Sequence, residues 1–359
     1  MDVESKLGLV LRDTEEVVTV EELKDLLEAG GGKGYLGFEP SGLFHVGWLI
    51  WAYKFKDLVD AGFRMVLLAA TWHAWINDKL GGDLDLIRAA ASHVVDVLNA
   101  IGLEGRFEVV YAEDLVDGSK YWATLLKVAK STSIARVKRA LTIMGRKADE
   151  AESDFSKLVY PLMQVTDIFE LDVDVALGGI DQRKAHMLAR DVAEKLGRKK
   201  VVAVHTPLLP SLQGVSKMEV KTLPKDEMMS EIKMSKSKPE SAIFVTDSDE
   251  EIRAKIMRAY CPPRDVEGNP VLGIVKHIVF RGGEVEFQVE RPSKYGGSIT
   301  YWRYEDLERD YVDGKIHPMD LKNSVAEYLA KRVIGPIRSY AMRPDREEIL
   351  RKIGIAVTR

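Results

Sequence analysis

YLGFEPSGLFHVGW, residues 35–48, sets out a strand, a turn and the onset of a helix. Residues 35–38 alternate well enough for a strand, Pro40-Ser41-Gly42 breaks the run, and an amphipathic pattern continues from His45 to about Ala61. A helix that starts directly after a strand presents the unpaired N–H groups of its first turn, and the positive end of its dipole, at the end of that strand. A phosphate can bind there. His45 adds a hydrogen-bond donor at that point, and Gly47 leaves the backbone uncovered so that a flat ligand can lie against it. A histidine at a helix start serves as readily as a structural group, so this pattern needs a partner elsewhere in the chain.

Lys233-Met-Ser-Lys-Ser237 supplies one, in a polar, turn-rich stretch running to Pro239. Two lysines separated by small flexible residues can close over a polyphosphate as point charges, although a solvated loop has the same composition. Together, in this order and this far apart, the two motifs resemble the HIGH and KMSKS signatures of class I aminoacyl-tRNA synthetases. GFEPSG (37–42) and later segments resemble the tyrosyl-tRNA synthetases of archaeal and eukaryotic type, and the likeness extends from about Tyr35 to about Val333. It implies an α/β fold: a Rossmann-like parallel-sheet catalytic domain followed by a mostly α-helical anticodon-binding domain. Ser216-Lys217-Met218 is a partial match to the second signature; the later stretch has both lysines and both serines in place.

The whole chain bounds this reading. Its 359 residues, 46% hydrophobic and 30% charged, describe a globular protein large enough for two domains. No long apolar run or signal-peptide pattern stands out, which gives the expectation of a cytoplasmic protein without a membrane partner. Cys261 is the only cysteine and the seven histidines are scattered, so neither a disulfide nor a protein metal site is expected. The net charge of −4 argues for solubility, whereas nucleic-acid binding depends on local patches. Between Lys127 and Lys147 there are seven basic residues and no acidic one. Such a run is either a solvated helix face or an RNA-binding surface.

In chain order, residues 1–32 contain an amphipathic helix around 20–27 and precede the first strand. Buried strands follow at 63–70 and 107–112 with a strongly periodic helix at 84–102 between them, an alternation that implies a parallel sheet with right-handed crossovers and ligands at its carboxyl edge. A helical connecting insertion at about 118–158 interrupts the alternation. A strand at 173–179, a helix at 181–197 and a strand at 201–207 resume it, and residues 211–240 read as a loop carrying the lysine motif. From about residue 249 the pattern is helical, so the expected domains are 1–240 and 241–359.

Tyr160, Gln164 and Asp167 fall on one face of a helix expected to start around Pro161, surrounded by apolar positions. Polar groups on a face that should be buried need partners, from a structural network or from a ligand. The resemblance implies a ligand. Tyr160 and Gln164 would contact the amino group of tyrosine, while Asp167 and Tyr35 would contact its hydroxyl and Gln182 its body. His73 is either a pocket residue or a structural one. Gly37, Glu39, His45, Gly47, Gly179, Asp181 and Lys236 would meet ATP, bound with Mg²⁺, and His45, Lys233 and Lys236 would stabilise its phosphates during the reaction. For tRNA(Tyr), the resemblance implies Arg139, Arg183 and Lys184 at the acceptor stem, with Lys138 as a further phosphate contact. Tyr295, His317 and Asp320, the last two from the segment IHPMDLKN, would meet the anticodon. Trp48 departs from the family signature, which often ends in a second histidine. The resemblance also implies a homodimer. A tryptophanyl-tRNA synthetase, a nucleotidyltransferase of another class and an inactive tRNA-binding paralogue remain as alternatives.

Overall fold

β2 (Lys33–Phe38) lies inside a six-stranded sheet between β3 (Arg64–Ala69) and β5 (Val175–Gly179), and pairs parallel with both. This is seen in a computed structural model that describes residues 1–144, 154–214, 233–234, 239–281 and 283–357. β4 (Glu108–Tyr111) extends the sheet beyond β3 and β6 (Val202–Thr206) extends it beyond β5, again in parallel. With β1 (Glu16–Val18) at one edge, the strand order β1-β6-β5-β2-β3-β4 reverses direction between β2 and β5, so the carboxyl ends of these two strands flank the crevice in which open α/β sheets bind ligands. β3 and β6 are buried almost throughout, which fits the apolar runs 65–69 and 202–204 within them.

One strand was not expected. β1 (Glu16–Val18) precedes β2 and pairs antiparallel with β6 at the sheet edge, placing Glu16 opposite His205. The parallel sheet read from the sequence is therefore mixed, with one short antiparallel edge.

The face of the sheet carrying Tyr35, Val66, Leu68 and Ala176 is covered by Val165, Ile168 and Phe169 of the helix Phe155–Glu170 and by Leu188, Ala189 and Val192 of the helix Arg183–Lys195. The first of these helices begins well before Pro161, where it was expected to start. Asp154 caps it by accepting from Ser156 N at 2.8 Å, and Pro161 lies in its interior. The extra turn is kept because Leu158, Val159 and Tyr160 pack in a second apolar cluster and the buried Lys157 ammonium meets Asp78 at 3.0 Å. These contacts outweigh the backbone hydrogen bond lost at proline. The helix starting at Leu84 and continuing to Leu103 is long and apolar enough to cross a membrane by length and composition. Its Ile87, Ala90, Ala91, Val94 and Val97 are fully buried within the fold, which accounts for that composition.

By internal contacts the chain divides into two compact units, Met1–Gly42 with Trp51–Pro207, and Leu43–Ile50 with Leu208–Arg359. The division falls at Pro207, whereas the change in sequence pattern lies near residue 240. The second unit is mostly helical, including Asp249–Arg258, Tyr304–Val312 and Pro318–Tyr328, and also holds a small antiparallel hairpin, β7 (Phe287–Val289) with β8 (Ile299–Tyr301).

At the β1 edge two histidines form a buried chain. His186 Nδ1 lies 3.0 Å from His205 Nε2, and His205 Nδ1 lies 2.9 Å from Glu16 Oε2. Burial, and secondarily His205, hold His186 well below its ordinary pKa; burial also lowers His205 against the opposing pull of Glu16. Histidines depressed in the folded state bind fewer protons there than in the unfolded chain. Their neutral forms thus favour folding above the unfolded value of 6.5, and that stability is lost as pH falls below it toward the folded values. We expect the urea midpoint to drop between about pH 7 and about pH 5, and His186→Gln to flatten this slope. A parent midpoint that is level across this window contradicts the assignment.

Candidate active site

Tyr35 sits in β2 opposite Val66 and Ala176, and its side chain is buried in the core. Its phenol is pushed above the ordinary tyrosine range by burial and then by the negative charge of Asp167, while a hydrogen bond with Gln164 acts the other way. Asp167 is 2% exposed. A carboxylate so deeply buried needs charged or hydrogen-bonding partners. Tyr121 OH donates to its Oδ1 at 2.7 Å, and His73 Nε2 approaches Oδ2 at 3.2 Å. Both His73 ring nitrogens are buried and neither makes a hydrogen bond among the described residues, so the approach of Nε2 to Oδ2 is a close polar contact.

Tyr160 stands edge-on to His73, with ring centroids 4.9 Å apart. Burial raises its pKa first, followed by the charges of Glu39, Asp167 and Asp181, so three carboxylates act on one phenol. Gln164 Nε2 donates to Gln182 Oε1 at 3.3 Å, and Gln182 Nε2 donates to the Ile143 carbonyl at 3.2 Å. Glu39 is fixed by Asn77, whose Nδ2 donates to it at 2.8 Å and to the Met144 carbonyl at 3.1 Å. A Cβ at Gly37 would lie 3.3 Å from the Tyr35 ring, and one at Gly178 would lie 3.0 Å from Gln182 Cβ. The first unit thus brings Tyr35, Tyr160, Gln164, Asp167 and Gln182 into one polar cluster at the strand-order reversal, with Glu39 and Asp181 at its edge. Tyr121 and Asn77 were missed by the sequence reading. Their partners Asp167 and Glu39 are distant in sequence, and no periodic signal links them.

The second unit holds the other motif. Leu43–Ile50 pairs with the stretch around Phe244: Val46 N donates to the Ile243 carbonyl at 2.8 Å, and Val245 N donates to the Phe44 carbonyl at 3.0 Å. The α-helix starts only at Leu49, after a 3-10 turn Val46–Trp48 for which His45 is the capping position, with no capping bond from its side chain. His45 is buried beside Trp48 and Phe244, at 5.5 and 6.5 Å between ring centroids. Trp48 also meets Phe44 edge-on at 5.5 Å, so the residue that departs from the signature serves as a wall for the histidine. Lys233 pairs with Pro210, and Met234 N donates to the Leu209 carbonyl at 2.9 Å. Lys236 lies outside the described residues.

Lys138 and Arg139 are exposed on the helix Ile134–Ala140, which packs on the helix Arg183–Lys195 through contacts that include Arg136 with Asp191 at 2.5 Å. Arg183 binds Glu16 through Nε at 2.8 Å and Nη2 at 3.0 Å, and Lys184 Nζ reaches Thr142 at 3.4 Å. Of the basic run expected between Lys127 and Lys147, Arg146 and Lys147 lie outside the described residues. In the second unit Tyr295 is 63% exposed in the β7–β8 connection, with Lys294 Nζ 4.8 Å from its ring centre. His317 caps the helix Pro318–Tyr328, its Nδ1 accepting from Met319 N at 3.2 Å, and Asp320 follows in the first turn.

With this geometry in view, comparison with known proteins is decisive. The sequence pattern of the family described as tRNA synthetases class I (W and Y) matches residues 32–333. The chain belongs to this family. The tyrosine–tRNA ligases of Aeropyrum pernix and Saccharolobus solfataricus are 57% and 56% identical to it, each over 100% of this chain and 99% of the relative. Among solved structures, tyrosyl-tRNA synthetase from Aeropyrum pernix superposes with a TM-score of 0.86 at 53% identity, covering 98% of this chain and 99% of that one. The enzyme from Pyrococcus horikoshii, complexed with L-tyrosine, superposes with a TM-score of 0.87 at 44% identity, covering 98% and 100%.

For a class I synthetase, one detail of the turn gives a test. A Cβ at Gly47 would stand 3.1 Å from the His45 ring and 3.5 Å from Met234 Cβ, so Gly47 lets the two signature segments close on each other. Gly47→Ala should displace the imidazole by a few tenths of an ångström and slow amino-acid-dependent ATP–pyrophosphate exchange by about tenfold or more. A parent-like exchange rate in that variant removes the turn from nucleotide handling.

Proposed function

We propose that this chain is a tyrosine–tRNA ligase that activates L-tyrosine with ATP to tyrosyl-adenylate and transfers the tyrosyl group to the 3′ end of tRNA(Tyr). The observation that carries the choice of amino acid is the pairing of a buried carboxylate, Asp167, with a buried phenol, Tyr35, in one cluster. A substrate hydroxyl both donates and accepts, so it can use both groups, whereas an indole N–H only donates and would satisfy Asp167 alone. The full-length likeness to relatives named tyrosine–tRNA ligase supports the same reading.

In the first step the tyrosine carboxylate attacks the α-phosphorus of ATP and pyrophosphate leaves. No protein nucleophile is needed, and the residues act by positioning and by stabilising charge. Tyr160 and Gln164 hold the amino group, and Gln182 lies against the amino acid. Gly179 and Asp181 meet the ribose, and Gly37, Glu39 and Gly47 belong to the nucleotide contacts. His45, Lys233 and Lys236 take the phosphates of ATP, which enters with Mg²⁺. Arg139, Arg183 and Lys184 meet the acceptor stem. Tyr295 stacks on the first anticodon base, Asp320 accepts its hydrogen bonds and His317 adjoins them. The reading includes a cytoplasmic location and a homodimer. Trp122 and Leu126, exposed one turn apart on the helix Ser119–Lys130, support a surface between copies.

The direct experiment is ATP–pyrophosphate exchange with each standard amino acid in turn; exchange with tryptophan and not tyrosine would transfer the assignment to the tryptophanyl branch. Asp167→Ala should lower the preference for tyrosine over phenylalanine by roughly 10- to 100-fold, mainly by losing tyrosine, because a hydrogen bond to a charged acceptor is worth about 1.5–3 kcal/mol. Tyr35→Phe should act in the same direction but less, since a neutral partner is lost. The ratio of activation efficiencies for the two amino acids decides, and an unchanged ratio in both variants would sink the pocket assignment. Asp320→Ala should weaken charging of tRNA while pyrophosphate exchange continues at the parent rate. Equal damage to both assays would point to a folding role for that carboxylate.

A further inference from the structure

Glu16 lies in a strand that the sequence pattern does not reveal, yet its carboxylate receives two sets of partners. Arg183 binds it through Nε and Nη2, at 2.8 and 3.0 Å, and His205 Nδ1 lies 2.9 Å from Oε2. The cross-strand register places Glu16 directly opposite His205, so the second contact is set by backbone pairing. The tautomers follow from the geometry. If His205 donates from Nδ1 to the carboxylate, its Nε2 is an acceptor and His186 Nδ1 must donate to it, giving two neutral rings aligned toward Glu16. His186 in turn packs under Gly178, where an added Cβ would come within 3.1 Å of its ring and within 3.0 Å of Gln182. Gln182 is the neighbour of Arg183 at the start of their helix.

We propose that Glu16 is a positioning residue for Arg183 in acceptor-stem recognition, and that the buried His186–His205 pair fixes Glu16 for that task. This rests on the reading of Arg183 as a contact to the first base pair of tRNA. The Arg183 side chain is 41% exposed, within reach of RNA, whereas both histidines are buried. An arginine has many rotamers, and a bidentate carboxylate on one edge of its planar fork removes most of them before RNA arrives. Burial would raise the Glu16 pKa, but the bonds and charge of Arg183, then those of His205, outweigh it, so the carboxylate stays ionised. A simple role in attaching β1 to the sheet is filled by other groups. Arg190 donates to the Val18 carbonyl at 3.2 Å, to the Val201 carbonyl at 2.7 Å and to Glu22 at 2.7 Å, next to the β1–β6 ladder itself.

The test compares charging of tRNA(Tyr) with charging of a transcript in which the two bases of the first pair are exchanged. The readout is the ratio of the two charging efficiencies, which a merely structural loss would lower equally for both and so leave unmoved. Glu16→Gln, close in shape but uncharged, should reduce this ratio by about fivefold or more, toward the value for Arg183→Ala. Adding Glu16→Gln to Arg183→Ala should reduce it no further, since one acts through the other. Glu16→Asp, which keeps the charge one methylene short, should give an intermediate ratio and serves if the glutamine variant does not fold. If Arg183→Ala collapses the ratio while Glu16→Gln and Glu16→Asp keep the parent value, the positioning role is overturned and the acceptor-stem reading stands. If Arg183→Ala itself leaves the ratio unchanged, both fall.

Discussion

A central strand with parallel neighbours on both sides, connected in opposite directions, is the constraint on which the first unit depends. β2 runs parallel to β3 and β5, and the chain passes from β2 to β3 on one side and from β5 to β6 on the other, so the crevice opens between the carboxyl ends of β2 and β5. Whatever follows β2 and β5 must border the same crevice. That is why Gly37 and Glu39 from one strand end, and Gly178, Asp181 and Gln182 from the other, become neighbours although they are far apart in sequence. The close approaches at Gly37 and Gly178 show how little space the backbone leaves there, and side chains at either position would push Tyr35 or Gln182 out of place.

Within that frame the cost of burying Asp167 organises the side chains. An unpaired carboxylate in an apolar interior would lose far more solvation than packing could return, so the fold surrounds it with Tyr121, His73 and Tyr35. None of these is a permanent cation of the arginine or lysine kind. A guanidinium at this position would saturate the carboxylate and leave nothing for a ligand, whereas the Tyr121 hydroxyl occupies one oxygen and still allows a further hydroxyl to compete for the other.

Much of this was legible in the sequence because it is periodic or local. The apolar runs that became β3, β5 and β6 and the i, i+4, i+7 spacing of Tyr160, Gln164 and Asp167 each follow from a repeat that the backbone imposes. The misses share a different cause. β1 is three residues long and gains its place only through β6, so no alternation announces it or its Glu16. Tyr121 acts on a carboxylate 46 residues away. Proline was read as a helix start, although tertiary packing of Tyr160 and its neighbours carried the helix past it. The hairpin β7–β8 is short enough to vanish in a helical context.

The same reasoning bears on Asp320, whose place in a helical first turn has two explanations. A carboxylate there stabilises any helix through the dipole, and the capping bond would be its most direct structural use. That bond is already made by His317, whose Nδ1 accepts from Met319 N, while Asp320 N bonds the His317 carbonyl as ordinary helical backbone. The capping bond at this helix start is therefore made without the Asp320 side chain. Arg291 adds a second argument, because it donates from Nε to the Gly297 carbonyl at 2.9 Å and from Nη1 to the Lys315 carbonyl at 2.6 Å. One side chain thereby ties the loop that carries the exposed Tyr295 ring to the turn that carries His317 and Asp320. A helix-dipole charge has no need of such a tie, whereas the proposed anticodon reading, with an aromatic platform on the face of one base and an acceptor at its edge, does.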